Sequence, residues 1–250
     1  MKPWIALGAL LLLGSAAVAQ TALSDRNLLA ALDDARFPTP DVNDLRVRIV
    51  STTPDGTREA VIHLQFTQID SLDYARIEFQ TPPELAGQIY LSTPDATYFM
   101  GPDLQSPIKV SATAEVFGDS AVAQTSGIHF LASYTIAARR AVQGSDGTEL
   151  LAVDLQAVNY TVAFQAVTVI VDPATLHPLS ATLYAVSGLP FYDVVYSDYA
   201  TRDNGDVYVR VQRIVNRLFT GRETTSETLE AAATELPSTL FDPASLAPAP

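Results

Sequence analysis

Apolar and polar residues alternate with a period of two through most of this chain, the pattern of strands with one dry face and one wet face. Leu45, Val47 and Ile49 alternate with Arg46, Arg48 and Val50, and Ala60, Ile62, Leu64 and Phe66 with Val61, His63, Gln65 and Thr67. Pro54-Asp55-Gly56 between the two runs is a turn signal. Ala75, Ile77 and Phe79 carry the alternation on until Pro82-Pro83 stops it, and residues 88–91 and 97–100 read as a short pair around Pro94-Asp95. Strand character returns over residues 149–157, 160–171, 180–186, 191–199, 207–216 and 223–229, with Asn204-Gly205 a strong hairpin signal. Short turns between successive strands predict an antiparallel meander. A sheet of about eleven strands must curl, split or close.

Two stretches break the period. Residues 22–36 place Leu23, Leu28, Leu29 and Leu32 at helical spacing behind Ser24, a candidate N-cap, and predict an N-terminal helix. Residues 101–133 lack a clean period and carry five Gly and Pro residues: Gly101, Pro102, Pro107, Gly118 and Gly127. A long irregular insertion inside a β domain is more often a functional lid than a connector. Its Ala-rich part, residues 112–123, is expected to be helical.

The chain begins with Lys2, an apolar run from Trp4 to Leu13 and the small-x-small site Ala17-Val18-Ala19. That order reads as a cleaved secretory signal peptide over residues 1–19, which places the rest in the periplasm. Residues 20–235 then form one domain, and residues 236–250, rich in Pro and Ala, a flexible tail. Charged residues are only 17 % of the chain against 48 % hydrophobic, and the formal net charge is −13. So acidic a chain is unsuited to nucleic acid, which requires clustered Lys and Arg. Without cysteine it has neither disulfides nor thiolate metal sites, so burial and strand pairing hold it together.

The order of these blocks is informative: the helix, the first hairpin, "ARIEFQTPPELAGQIYL", "ATYFM", the "VFGDS" insertion, "VDPATLHPLSATLYAVSGLPFYDVVYSDYA" and "VYVRVQRIVN". Over most of residues 24–229 it resembles the LolA-like outer-membrane lipoprotein-sorting proteins. The resemblance implies a mainly β fold with some α: a curved, unclosed antiparallel β-barrel with helices over its mouth. It also implies a hydrophobic cavity for the acyl chains of a lipoprotein or lipid, exchanged with envelope membrane transfer proteins. The family's basic latch near the end of an early strand is not matched, since this chain reads Gln68-Ile69-Asp70 there.

Under that reading Ile62, Leu64, Phe66, Ile77, Phe79, Phe99, Phe117, Phe164, Leu183, Val209 and Val211 are candidate cavity residues. Val116, Val122, Ile128 and Phe130, with Phe117, form the candidate lid, and Gly118 and Gly127 its hinges. The competing reading is that these side chains simply pack on one another, and a strand slip of one residue reverses the inward face. No catalytic, metal or cofactor site is expected. His63, His129 and His177 share no ligand spacing, no Gly-x-Ser-x-Gly elbow is present, and Asp193, Asp198, Asp203 and Asp206 read as a solvated hairpin. The functional expectation is a non-enzymatic periplasmic carrier or chaperone. The alternative is a lipid-responsive sensor or protein-binding module of the envelope.

Overall fold

The structure, a computed structural model, describes residues 23–36, 42–70, 72–121, 129–202, 205 and 207–246. The signal-peptide expectation, together with Val122, Gly127 and Ile128, lies outside the described residues.

Helix α1 (Asp25–Arg36) forms where the spacing predicts it. Ser24 caps it, its Oγ accepting the Asn27 N–H at 3.3 Å. Leu28, Leu29, Leu32 and Ala35 bury one face, and Asp25, Arg26, Asn27 and Asp34 stay in water. Full burial of each leucine contributes about 1.5–3 kcal/mol.

The sheet has two meanders joined at a seam. The first comprises β1 (Asp44–Thr53), β2 (Gly56–Ile69), β3 (Leu72–Thr81), β4 (Ile89–Ser92), β5 (Thr97–Met100) and β6 (Ile108–Val110). The second runs through β9 (Tyr134–Gln143), β10 (Glu149–Ala157), β11 (Ala166–Val171), β12 (Pro178–Tyr184), β13 (Pro190–Thr201), β14 (Val207–Asn216) and β15 (Glu223–Ala232). β15 pairs antiparallel with β1, giving one 13-stranded sheet in the order β6-β5-β4-β3-β2-β1-β15-β14-β13-β12-β11-β10-β9. β6 and β9 remain its edges, so the curved sheet is not closed into a barrel.

The insertion differs from expectation. In place of a helix over residues 112–123 it forms a small antiparallel ribbon, β7 (Glu115–Phe117) and β8 (Ser120–Ala121). Gly118 turns it with φ +60°, a backbone conformation that ends a helix. A four-residue helix, α2 (Phe130–Ser133), leads into β9. β9 itself has no clean alternation, because it is an edge strand whose middle is largely exposed. The expected strand over residues 160–171 begins only at Ala166. Before it the chain turns at Asn159, whose Oδ1 accepts the Thr161 N–H at 2.9 Å.

The tail is a second correction. Residues expected to be flexible form 3₁₀ turns at Ser238–Phe241 and Pro243–Leu246, and Phe241 and Leu246 are buried. They pack with Leu91 and Met100, flanked by Tyr74, Ile89 and Tyr98. These partners share the face of Arg76 and Glu78, opposite to Ile77 and Phe79. β3–β5 therefore carry apolar residues on both sides, and the tail shields the outer side.

Candidate functional site

The inner face of the sheet holds two apolar clusters. In the first meander Leu45, Val47 and Ile49 of β1 face Ile62, Leu64 and Phe66 of β2, and Ala75, Ile77 and Phe79 of β3. Phe117 descends on them from the ribbon, its ring centroid 6.2 Å from that of Phe79. Val116 packs against the same cluster. Phe99 continues the inner face toward the β6 edge, with its ring centroid 4.9 Å from that of Tyr90.

The second meander builds the other cluster from Val153, Leu155, Val167, Val169, Leu183 and Ile214, with Val209, Phe164 and the rings of Tyr134, Tyr192 and Tyr196. Leu28, Leu29 and Leu32 of α1 and Phe130 of α2 cover it. The candidate cavity residues are thus divided between two cores. Val211 is the exception. It pairs with Glu227, which bonds Arg210 at 2.9 Å and lies 3.8 Å from Arg48, so Val211 belongs to the outer, charged face. Val209 and Ile214 are both buried although five positions separate them. The alternation therefore slips between them, beside Asp198 of β13 with φ +52°.

Several inner residues were not among the candidates, notably Val153, Leu155, Val167 and Val169. The alternation in β11 signals its pair, since Val167, Val169 and Val171 are buried and their neighbours are not.

Polar contacts hold the covering pieces. Asp33 of α1 accepts the N–H groups of Phe130 and Leu131 at 2.8 and 2.9 Å, capping α2. Burial raises its pKa above the ordinary carboxylate range, against the opposing pull of Arg36 and those two amides. The ribbon turn is keyed into the seam. Asp119 N–H donates to Thr224 Oγ1 at 3.1 Å, and Asn216 Nδ2 donates to Asp119 Oδ1 at 2.7 Å. A Cβ at Gly118 would lie 2.0 Å from Ser51 Oγ, so only glycine fits. Ser51 Oγ, Asp119 Oδ2 and Ser120 Oγ are buried there with no hydrogen-bond partner among the described residues. Each such atom costs about 1–3 kcal/mol, so the ribbon docks with a handicap.

Between the two clusters, Arg36, Val47, Leu64, Tyr196 and Gln212 enclose a space of about 50 Å³, room for a few waters. Larger open grooves flank α2. One of about 600 Å³ lies between Arg26, Ala30 and Asp34 of α1 and Phe66, Thr67 and Tyr74 of β2–β3. The other, about 670 Å³, runs from the β4–β5 turn and β6 to residues 158–163. His129 and Ala132 line both.

The remaining polar candidates do not converge. His63 meets Asp44 at 2.6 Å, and His177 stacks on Tyr199 with centroids 4.7 Å apart. Asp193 pairs with Arg217 at 3.3 Å, while Asp198 pairs with Arg210. Asp203 lies outside the described residues, as does Asp206. Burial, with a smaller contribution from Asp119 and Glu115, pushes Tyr192 up to about 12.

This architecture is the LolA-type half-barrel. A LolA superfamily protein from Nitrosomonas europaea superposes with a TM-score of 0.78 at 19 % identity, over 88 % of this chain and 98 % of its own. A domain assigned to the outer membrane lipoprotein-sorting proteins, from Vibrio parahaemolyticus, gives 0.72 at 15 % identity, over 88 % and 97 %. A DUF1329 family protein from Desulfovibrio piger gives 0.72 at 14 % identity, over 89 % and 97 %. At such identities the likeness establishes the fold. The model of a family described as "Uncharacterized protein" matches residues 71–247, and the chain belongs to that family. No curated protein matches the chain significantly.

Proposed function

We propose that this protein is an exported, non-enzymatic carrier that receives an acyl chain of a lipoprotein or lipid on the inner face of its half-barrel, in the periplasm, for transfer towards the outer membrane. The observation that carries this reading is how the inner face is covered. One extended apolar surface is roofed by α1 with the one-turn helix α2, but the other is roofed chiefly by a ribbon of two very short strands. Open grooves of about 600 and 670 Å³ flank that helix, within the range of small-ligand sites of about 300–1,000 Å³.

In the closed form the inner side chains fill one another's space, so cargo enters by displacing cover. The ribbon suits that role, since its buried unpartnered hydroxyl and carboxylate oxygens regain water when it lifts. An acyl chain then replaces the contacts of Phe117 on Phe79. Leaving water for such a surface contributes about 0.8 kcal/mol per methylene, so an acyl chain of ordinary length is sufficient to hold the ribbon open.

Native mass spectrometry of the protein purified from the periplasm, with extraction of bound lipid, tests the reading. A co-purifying acylated species at fixed stoichiometry is the expected result. A clean apo mass, with no uptake of added fatty acid or acylated peptide, overturns it. The filled inner face is the one observation that favours the second reading, a protein-binding module of the envelope, and that apo result is what the second reading expects.

A further inference from the structure

The ten large apolar side chains that stand exposed among the described residues are not scattered. Six of them, Val158, Tyr160, Val186, Leu189, Leu218 and Phe219, occupy three connections: residues 158–165, 185–189 and 217–222. These join β10 to β11, β12 to β13 and β14 to β15, so they are successive hairpins along one rim of the second meander. Register sets them side by side, because Asn216 pairs with Tyr192, and Leu183 pairs with both Tyr192 and Val167. Neighbouring hairpins are then about 10 Å apart.

The three turns share a rigid base. Arg217 N–H donates to the Phe191 carbonyl at 2.9 Å. Phe164 sits under Phe191 and Tyr192, with ring centroids 6.5 and 6.1 Å away. The tips are left in water, Tyr160 at 88 % exposure and Val186 at 87 %. Contiguous exposed apolar surface of this kind marks an interaction site.

Charge identifies the occupant. The chain as a whole is strongly acidic, yet residues 158–165 and 185–189 contain no charged residue, and residues 217–222 contain only Arg217 and Arg222. At the opposite rim of the same meander the connections carry Asp146 and Asp172. Within this meander, the rim whose connections carry no carboxylate is also the rim with protruding aromatic and aliphatic tips. Its two arginines have carboxylates behind them, Asp193 at 3.3 Å from Arg217 and the buried Asp119 at 4.0 Å from Arg222. That pairing of apolar tips with flanking arginines suits a bilayer interface.

We propose that this rim is a membrane-docking edge, inserting Tyr160, Val186, Leu189, Leu218 and Phe219 into the interfacial layer of a phospholipid bilayer, with Arg217 and Arg222 at headgroup level. The connection that carries Tyr160 also lines the groove beside α2 through Val158, Asn159 and residues 161–163. Docking therefore sets the groove mouth against the membrane. What passes through that mouth rests on the carrier reading; the docking itself does not.

The test uses the protein purified from the periplasm of cells expressing the full sequence, floated with vesicles of phosphatidylethanolamine and phosphatidylglycerol. The parent co-floats, and the Leu189→Ser/Phe219→Ser variant loses at least ten-fold in apparent affinity while keeping the parental circular dichroism spectrum. Tryptophan reporters then give orientation, with the parent as blank because the only tryptophan of the chain is Trp4. Phe219→Trp is quenched by brominated lipid, and Ser145→Trp, in the turn of the opposite rim, is not. No flotation of the parent, a serine variant that floats like the parent, or equal quenching at both reporters overturns the proposal. Loading with a fluorescent fatty acid from solution separates the two readings. A parent that loads without floating overturns docking alone, and one that floats without loading overturns the carrier alone.

Discussion

Helix α1 covers the β9–β15 half of the sheet with Leu28, Leu29 and Leu32, whereas the β1–β6 half is covered by a ribbon that contributes chiefly Phe117 and Val116. The helix meets its half by apolar burial, with Asp25, Arg26 and Asp34 in water and Asp33 and Arg36 buried at its C-terminal end. The ribbon meets its half through a glycine-tight turn, two hydrogen bonds and buried oxygens left without partners. One cover is built as core and the other as a plug. An apolar face can thus be hidden at very different cost, and under the proposed carrier function the cover that is cheaper to remove is where cargo would enter.

The largest expected effect falls on the helix. Leu32 is fully buried, and Leu32→Ala should destabilise the protein by about 2–5 kcal/mol, read as a lower urea midpoint with unchanged slope. A loss below about 1 kcal/mol would break the comparison, because a side chain that removes so little belongs to a movable lid.

Gly118→Ala comes next, at about 1–3 kcal/mol. The new methyl cannot coexist with Ser51 Oγ, and φ +60° disfavours alanine. Hydrogen exchange should show Glu115–Phe117 losing protection while Ala166–Val171 keeps it. The variant should also load fatty acid faster than the parent. If both halves lose protection together, the ribbon is part of a single cooperative core.

The smallest effect concerns the contact between the covers. A carboxyl with a raised folded-state pKa binds its proton more tightly folded than unfolded. Its stability contribution is fully present below 3.8, the ordinary aspartate value, and is lost as pH rises through the raised value. Asp33→Asn cannot titrate. The stability of the parent relative to this variant should therefore increase as pH falls from neutrality towards 3.8, measured by paired urea titrations. A pH-independent difference would mean that burial does not raise the Asp33 pKa in the folded protein.

Much of the frame is legible in the order of residues. The alternation in β1, β2 and β3 marks the strands and their buried residues, because Ile62, Leu64, Phe66, Ile77 and Phe79 all face inward as the pattern implies. Ser24 and the leucine spacing place α1. The covers are less legible. Alanine content suggests a helix where Gly118 and its pocket at Ser51 and Thr224 impose a ribbon. The tail reads as disordered from its Pro and Ala content, yet Phe241 and Leu246 find Leu91 and Met100 on the outer face of β4 and β5.

The sequence by itself determined what depends on neighbours along the chain: strand periodicity, the apolar stripe of α1, and the turn at Pro54-Asp55-Gly56. Those signals act over a few residues, through backbone angles and the alternation of side chains across a strand. Only the tertiary structure decided what depends on partners far away. The pairing of β1 with β15 joins residues more than 150 positions apart. The break of alternation in β14 sends Val211 outward while Val209 stays inside, although the strands keep register across it, Ser197 opposite Val211 and Tyr199 opposite Val209, and the break lies beside Asp198 with its φ of +52°. The division of one apolar face into two cores follows from which covering element lands on each half, and an alternating pattern is the same whichever cover it receives.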